Sequence, residues 1–149
     1  MEKMLANKKL LLVLRLIMGA VFILASVDKI FNPAIFSSVL REYKLVPEIL
    51  IPLVSVTMPW IEFFAGLFII LNVFSQSVAL IMIGLNIGYI IGIAINLAWG
   101  LVHECGCFTL FGWNEPISGS TIVRDLIFIL MCVPILLYST NELKFKKKI

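Results

Sequence analysis

The chain has 149 residues, of which 61% are hydrophobic and only 14% charged, with a formal net charge of +3 and a mean hydropathy of +1.07. A soluble domain is roughly half apolar and a quarter charged, so this composition excludes an ordinary soluble enzyme and makes a bilayer the relevant solvent. The small positive charge sits mainly at the two ends and forms no basic face, so no nucleic-acid partner is expected; the length suits a single domain over 1–149.

The first apolar run, Leu10 to Ile30, can cross a hydrocarbon core, which takes about 20 residues at about 1.5 Å rise each. It follows Lys3, Lys8 and Lys9 as a secretory signal would, but no A-x-A-like site comes after it and the run is expected to be retained. The segment after it, "NPAIFSSVLREYKLVP" from Asn32 to Pro47, repeats Ile35, Phe36, Val39, Leu40 and Tyr43 at helical spacing, with Asn32 placed as a cap and Pro33 at the first helical position. This pattern predicts a short amphipathic helix on the outer membrane face, either a connector resting on the spans or a lid over a reactive site.

The second run, Ile49 to Leu71, carries Glu62, and Pro47, Pro52 and Pro59 crowd its first half, where they predict a bend or a partly interfacial segment. A short uncharged turn, Asn72 to Ser77, leads into the third run, Val78 to Gly100. There Gly84, Gly88 and Gly92 form a small-residue stripe that predicts close packing against another helix, with a ligand groove as the alternative. The fourth run, Ile122 to Tyr138, begins just before Arg124 and Asp125 and holds Cys132, expected to behave as a small apolar residue. The expected fold is an all-α membrane protein, a four-transmembrane-helix bundle with a short amphipathic helix between spans 1 and 2. Four spans put both termini on one side, and lysines gather at both, including Lys144 and Lys146 to Lys148. The positive-inside rule then predicts a multi-pass protein with cytoplasmic N and C termini.

Charges inside a membrane are costly unless paired or facing a polar cavity. Counted from the outer ends of their spans, Arg15 and Glu62 fall at a similar depth of about 20 Å, so a structural ion pair between them is predicted. Arg124 and Asp125, with Asp28 and Lys29, form a second polar set near the outer ends of spans 4 and 1. That set either pairs the helices or polarises the head group of a bound lipid-soluble acceptor.

The orientation places Leu101 to Ser120 outside, and with it "HECGCF" from His103 to Phe108. A disulfide between Cys105 and Cys107 would close a ring tighter than the preferred Cα separation, which makes it strained and readily reduced. It would stabilise the fold poorly, because so short a loop removes little entropy from the unfolded chain. The pair therefore points to redox exchange in an oxidising compartment, with two free thiols as the plainer alternative. His103, the only histidine, would favour a neighbouring thiolate when protonated and accept a proton when neutral. Three ligands in five residues make a poor structural zinc site, which takes four, so no metal is expected. Trp99, Phe108 and Trp113 can line a site for a quinone ring, Asn96 can donate to its carbonyl or to another helix, and Arg124 and Asp28 can polarise it.

Taken together, Arg15 with "LIMGAVFILASVDKIFNP", Tyr43 and Pro47, "PWIEFFAGLFIILN", and "ECGCF" before an Arg-initiated fourth span resemble the MauE and wider DoxX-like family of small membrane proteins, over Leu10 to about Leu137. The resemblance implies a four-helix bundle doing redox work outside the cytoplasmic membrane, with a thioredoxin-like partner in MauE and thiol or thiosulfate oxidation with quinone in DoxX-like relatives. Only Cys105 and Cys107 carry over as motif residues. The quinone-coupled thiol oxidases of the DsbB and vitamin K epoxide reductase types are similar in architecture, but they generally use two cysteine pairs where this chain has one.

The leading expectation is thus a thiol-disulfide oxidoreductase of the bacterial cytoplasmic membrane. It would exchange electrons between an extracytoplasmic thioredoxin-like protein and non-covalently bound ubiquinone or menaquinone, using Cys105, Cys107 and His103. A non-catalytic membrane anchor or assembly subunit of a redox enzyme, and a small-molecule transporter using Arg15 and Glu62, are the alternatives. Membrane lipid is an expected contact, and a homo-oligomer is left open.

Overall fold

The computed structural model describes residues 7–101 and 116–146, with side chains as far as Tyr138. Its regular elements among these residues are five helices: α1 Lys8–Phe31, α2 Pro33–Tyr43, α3 Ile51–Ile70, α4 Ser75–Ala98 and α5 Gly119–Lys146. α1, α3, α4 and the Gly119–Tyr138 part of α5 are long and apolar enough to cross a membrane. Only 33% of the most apolar window of α1, α3 and α4 is buried inside the protein, and 28% of that of α5. The remaining apolar surface, including Leu12, Leu53, Trp60, Leu80 and Leu130, faces outward and needs lipid as its solvent.

The ends of the helices follow from local chemistry. Asn7 caps α1 by accepting the Lys9 backbone N–H at 3.2 Å. The Asn32 N–H donates to the Asp28 carbonyl at 3.1 Å and closes α1, and Pro33 begins α2 where a missing N–H costs nothing. Asn32 makes no side-chain cap bond to α2, contrary to the sequence expectation, because it serves both helices at once and its backbone conformation is fixed by closing the first. Lys44 ends α2 in the left-handed region at φ 53°. Between α3 and α4, Asn72 and Phe74 take positive φ, and the Ser75 hydroxyl donates to Asn72 Oδ1 at 2.5 Å. α4 therefore starts three residues before the predicted Val78.

α1 packs chiefly on α3 and α4 on α5, while α3 against α4 and α1 against α5 close the bundle. α2 lies mainly on α3 and also touches α1 and α4. The close approach in the bundle is at Gly19 and Gly66: a Cβ on either would lie 2.8 Å from the other's carbonyl oxygen. The predicted role of Gly84, Gly88 and Gly92 is corrected here, since a Cβ on Gly84 or Gly88 would meet nothing within 4 Å and one on Gly92 only ordinary contacts at 3.5 Å. A stripe of small residues draws helices together only where a second backbone faces it, and Gly84 and Gly88 lie on an exposed face.

The interior is divided along the bundle. Toward the termini it is apolar, with Leu11, Met18, Phe22, Ile69, Met82, Ile135 and the buried Cys132 in one cluster, which bears out the apolar reading of that cysteine. At the other end Ile93 and Ile117 pack together with Tyr43, Leu97 and Ile122 around them. Between these two clusters lies a layer of polar side chains.

Candidate functional site

The buried stripe of α1 runs through Arg15, Met18, Gly19, Phe22, Ser26 and Lys29, and that of α3 through Ser55, Pro59, Glu62, Gly66 and Ile69, both at helical spacing. Since α1 and α3 run antiparallel with Gly19 against Gly66, Glu62 comes level with the last turns of α1. Lys29 Nζ reaches it at 2.9 Å to Oε2 and 3.0 Å to Oε1, with both side chains 3% exposed. The Tyr89 hydroxyl on α4 donates to Glu62 Oε1 and lies 3.5 Å from Lys29 Nζ. The ammonium also stands 5.1 Å from the ring centres of both Phe36 and Tyr89, a cation–π cage on the sides not taken by the carboxylate. A buried ion pair survives desolvation only when the remaining polar atoms are also served, and here Tyr89 and the two rings do so.

The predicted Arg15–Glu62 pair is therefore replaced by Lys29–Glu62. The register set at Gly19 and Gly66 puts Glu62 opposite the end of α1, about eleven residues or 16 Å from Arg15 along the axis. Counting depth from the span ends missed this because it took those ends as level, whereas the Gly19–Gly66 contact carries the start of α3 past the end of α1. Arg15 is buried further toward the termini, and its Nε makes no hydrogen bond among the described residues.

On α5, Arg124 donates to Asp125 Oδ1 from Nη2 at 3.0 Å and from Nε at 3.1 Å, with its guanidinium 5.9 Å from the Phe128 ring centre. Asp125 is buried and its Oδ2 has no hydrogen-bond partner among the described residues. A small cavity of about 30 Å³ is bordered by Lys29, Glu62, Asn86, Tyr89, Arg124 and Asp125. Glu62 and the Arg124–Asp125 pair, which the sequence separated, thus border one half-open cavity whose other walls, Val21, Phe22, Ala25 and Phe128, are apolar. It has room for a water molecule, which needs about 10–15 Å³. Asp28 is buried beside Lys29 in sequence.

A second cavity, of about 250 Å³, lies on the other side of Lys29 and Tyr89, which border both spaces. Its remaining walls are apolar: Phe36, Val39, Leu40 and Tyr43 from α2, Leu45 and Val46 from the connection, Val54 and Met58 from α3, and Gly88, Gly92 and Ile93 from α4. α2 is thus the roof of a chamber rather than a bare connector. It is tied down by Asn96, whose amide nitrogen donates to the Tyr43 carbonyl at 3.2 Å and to the Gly92 carbonyl at 2.8 Å. These bonds use the amide hydrogens within α4 and across to α2, the helix-to-helix use of the two expected, rather than for a ligand carbonyl.

Of the other expected site residues, Trp99 is the exposed C-cap of α4 and borders neither cavity. Arg124 borders the smaller one. His103, Cys105, Cys107, Phe108 and Trp113 lie outside the described residues. Sequence reasoning passed over Tyr89 and the role of Lys29 as partner of Glu62. The signal was present: Asn86, Tyr89, Ile93 and Asn96 recur on one face of α4, so its polar groups share a stripe. Among the described residues no group of three metal-ligating side chains occurs.

The model of the family described as methylamine utilisation protein MauE matches residues 7–138. The methylamine utilization protein MauE of Paracoccus denitrificans is 23% identical over 136 residues, covering 91% of this chain and 73% of that protein. No solved structure matches the chain.

Proposed function

The chain belongs to the MauE family, and on that premise we propose that it is a membrane thiol-disulfide oxidoreductase serving methylamine utilisation. In this reading the Cys105–Cys107 disulfide accepts two electrons from the dithiol of an extracytoplasmic thioredoxin-like protein. One partner thiolate attacks a sulfur of the pair, a mixed disulfide forms, and the second partner thiol resolves it, leaving a partner disulfide and two thiols on this chain. Those thiols return to the disulfide as a membrane quinone takes two electrons and two protons and leaves as the quinol, so the cycle balances without another reactant.

The observation that carries this reading is the ring-sized apolar chamber ending in Lys29 and Tyr89 at the end of the bundle where the CGC-bearing connection leaves and re-enters. Ile93, on the chamber wall, packs against Ile117, just past that connection. His103 serves as proton carrier beside the pair.

The test is quinone reduction driven by a reduced thioredoxin-like dithiol, measured with the purified full chain in lipid and Cys132→Ser as the parent. Changing Cys105 and Cys107 together to serine is expected to remove the dithiol-dependent rate. A rate that persists in the double variant sinks the thiol mechanism and leaves the anchor or assembly reading.

A further inference from the structure

The geometry points to the 250 Å³ chamber beneath α2 as the binding site of a lipid-soluble ring carrying a carbonyl, held by its ring among Phe36, Tyr43 and Met58 and by its carbonyl against Lys29 and Tyr89. Three observations lead there. The first is size and lining. A dry cavity of about 150 Å³ accepts a benzene ring, so this one accommodates a substituted six-membered ring with the first carbons of a tail. It is too small for a phospholipid head group together with its chains. Gly88 on its wall is exposed, so the chamber adjoins the lipid-facing surface through which a tail can leave.

The second observation is the polar end. Binding sites of this kind are mainly apolar with a few placed donors, and here the donors are an ammonium and a phenol hydroxyl that both also hold Glu62. Either group reaches a ligand carbonyl by rotating one N–H or O–H away from the carboxylate, which keeps its other donor meanwhile. A cation and a hydroxyl select an acceptor oxygen, and they favour it more strongly as negative charge gathers on it.

The third is that Lys29 and Tyr89 border both the chamber and the smaller space beside Asp125, whose buried Oδ2 lacks a partner among the described residues. A water there can serve Asp125, and Glu62 and the Tyr89 hydroxyl then connect that space to the carbonyl end of the chamber. Tyr89 and Glu62 are accordingly positioned to pass a proton to the bound oxygen.

This assignment rests on the proposed reading only for the identity of the ring as a quinone, and it is tested without electron flow. The full chain carrying Cys105→Ser and Cys107→Ser, in lipid nanodiscs, is photolabelled with an azido short-chain quinone and the labelled residues are mapped by mass spectrometry. Label is expected on α2 and on residues 88–93, displaced by decylubiquinone. Gly88→Leu narrows the chamber from a wall position where an added Cβ meets nothing within 4 Å, and it is expected to weaken labelling about tenfold with unchanged melting temperature. Tyr89→Phe removes the hydroxyl while Lys29 still serves Glu62, and is expected to weaken binding by about tenfold. Label elsewhere, labelling untouched by Gly88→Leu, or displacement by phospholipid alone overturns the assignment. If the chamber binds quinone but dithiols never reduce it, the proposed function falls and the site stands. If dithiol-driven reduction survives Gly88→Leu with an unchanged KM, the site falls and the function stands.

Discussion

Lys29 and Glu62 show what a membrane interior demands of a charge. Each is enclosed by protein, each holds the other at 2.9 Å, and the carboxylate takes a further bond from Tyr89. Breaking such a pair from one side leaves a buried charge without compensation, at a cost of about 3–5 kcal/mol, whereas removing both charges costs much less. Lys29→Met is therefore expected to destabilise the protein by about 3 kcal/mol. Lys29→Met with Glu62→Gln should recover most of that loss in denaturant unfolding followed in detergent. Equal losses in the single and double variants would mean that Lys29 matters for packing and not for charge. Glu62 was legible in the sequence as a residue needing a partner. Which cation supplied it was not, because Arg15 and Lys29 within the α1 span satisfy the same rule and only helix register chooses between them.

Among elements, α1 and α3 are held by backbone contact and α2 by a clip. Gly19 and Gly66 let two helices meet at carbonyl distance, and a methyl group on Gly66 would press on the Gly19 carbonyl and the Ile23 backbone, neither of which can move aside cheaply. Gly66→Ala is thus expected to cost about 1–3 kcal/mol by overpacking. Gly84→Ala, facing open space, should be neutral or slightly stabilising, since alanine is the better helix former. Unfolding of the two variants side by side checks the contrast, and equal effects would contradict the assigned α1–α3 contact. The helical spacing of α2 was visible from Ile35 to Tyr43, but its position as a roof depends on the Asn96 bond to the Tyr43 carbonyl, 53 residues apart in the chain.

For the whole molecule, an even number of apolar helices would leave the two termini on the same side, and the lysines near them predict that this side is cytoplasmic. Reporter fusions at the N and C termini are both expected to read cytoplasmic, and a fusion or modification site at Glu48 in the α2–α3 connection to read external. Opposite readings at the termini would remove one of the four spans. Orientation in turn sets which compartment the CGC connection faces, and only an oxidising side suits the proposed exchange.

Composition, periodicity and spacing along the chain were enough for the class of the molecule: the solvent, the number of apolar spans and the amphipathic helix all follow from them. These are properties that neighbouring residues settle among themselves. The tertiary structure decided the partner of Glu62, the close contact at Gly19 and Gly66, the duties of Asn96 and the chamber between α2, α3 and α4. Each depends on the axial offset and rotation between helices. A shift of one helical turn, about 5.4 Å, moves every such contact while leaving each span's own pattern unchanged.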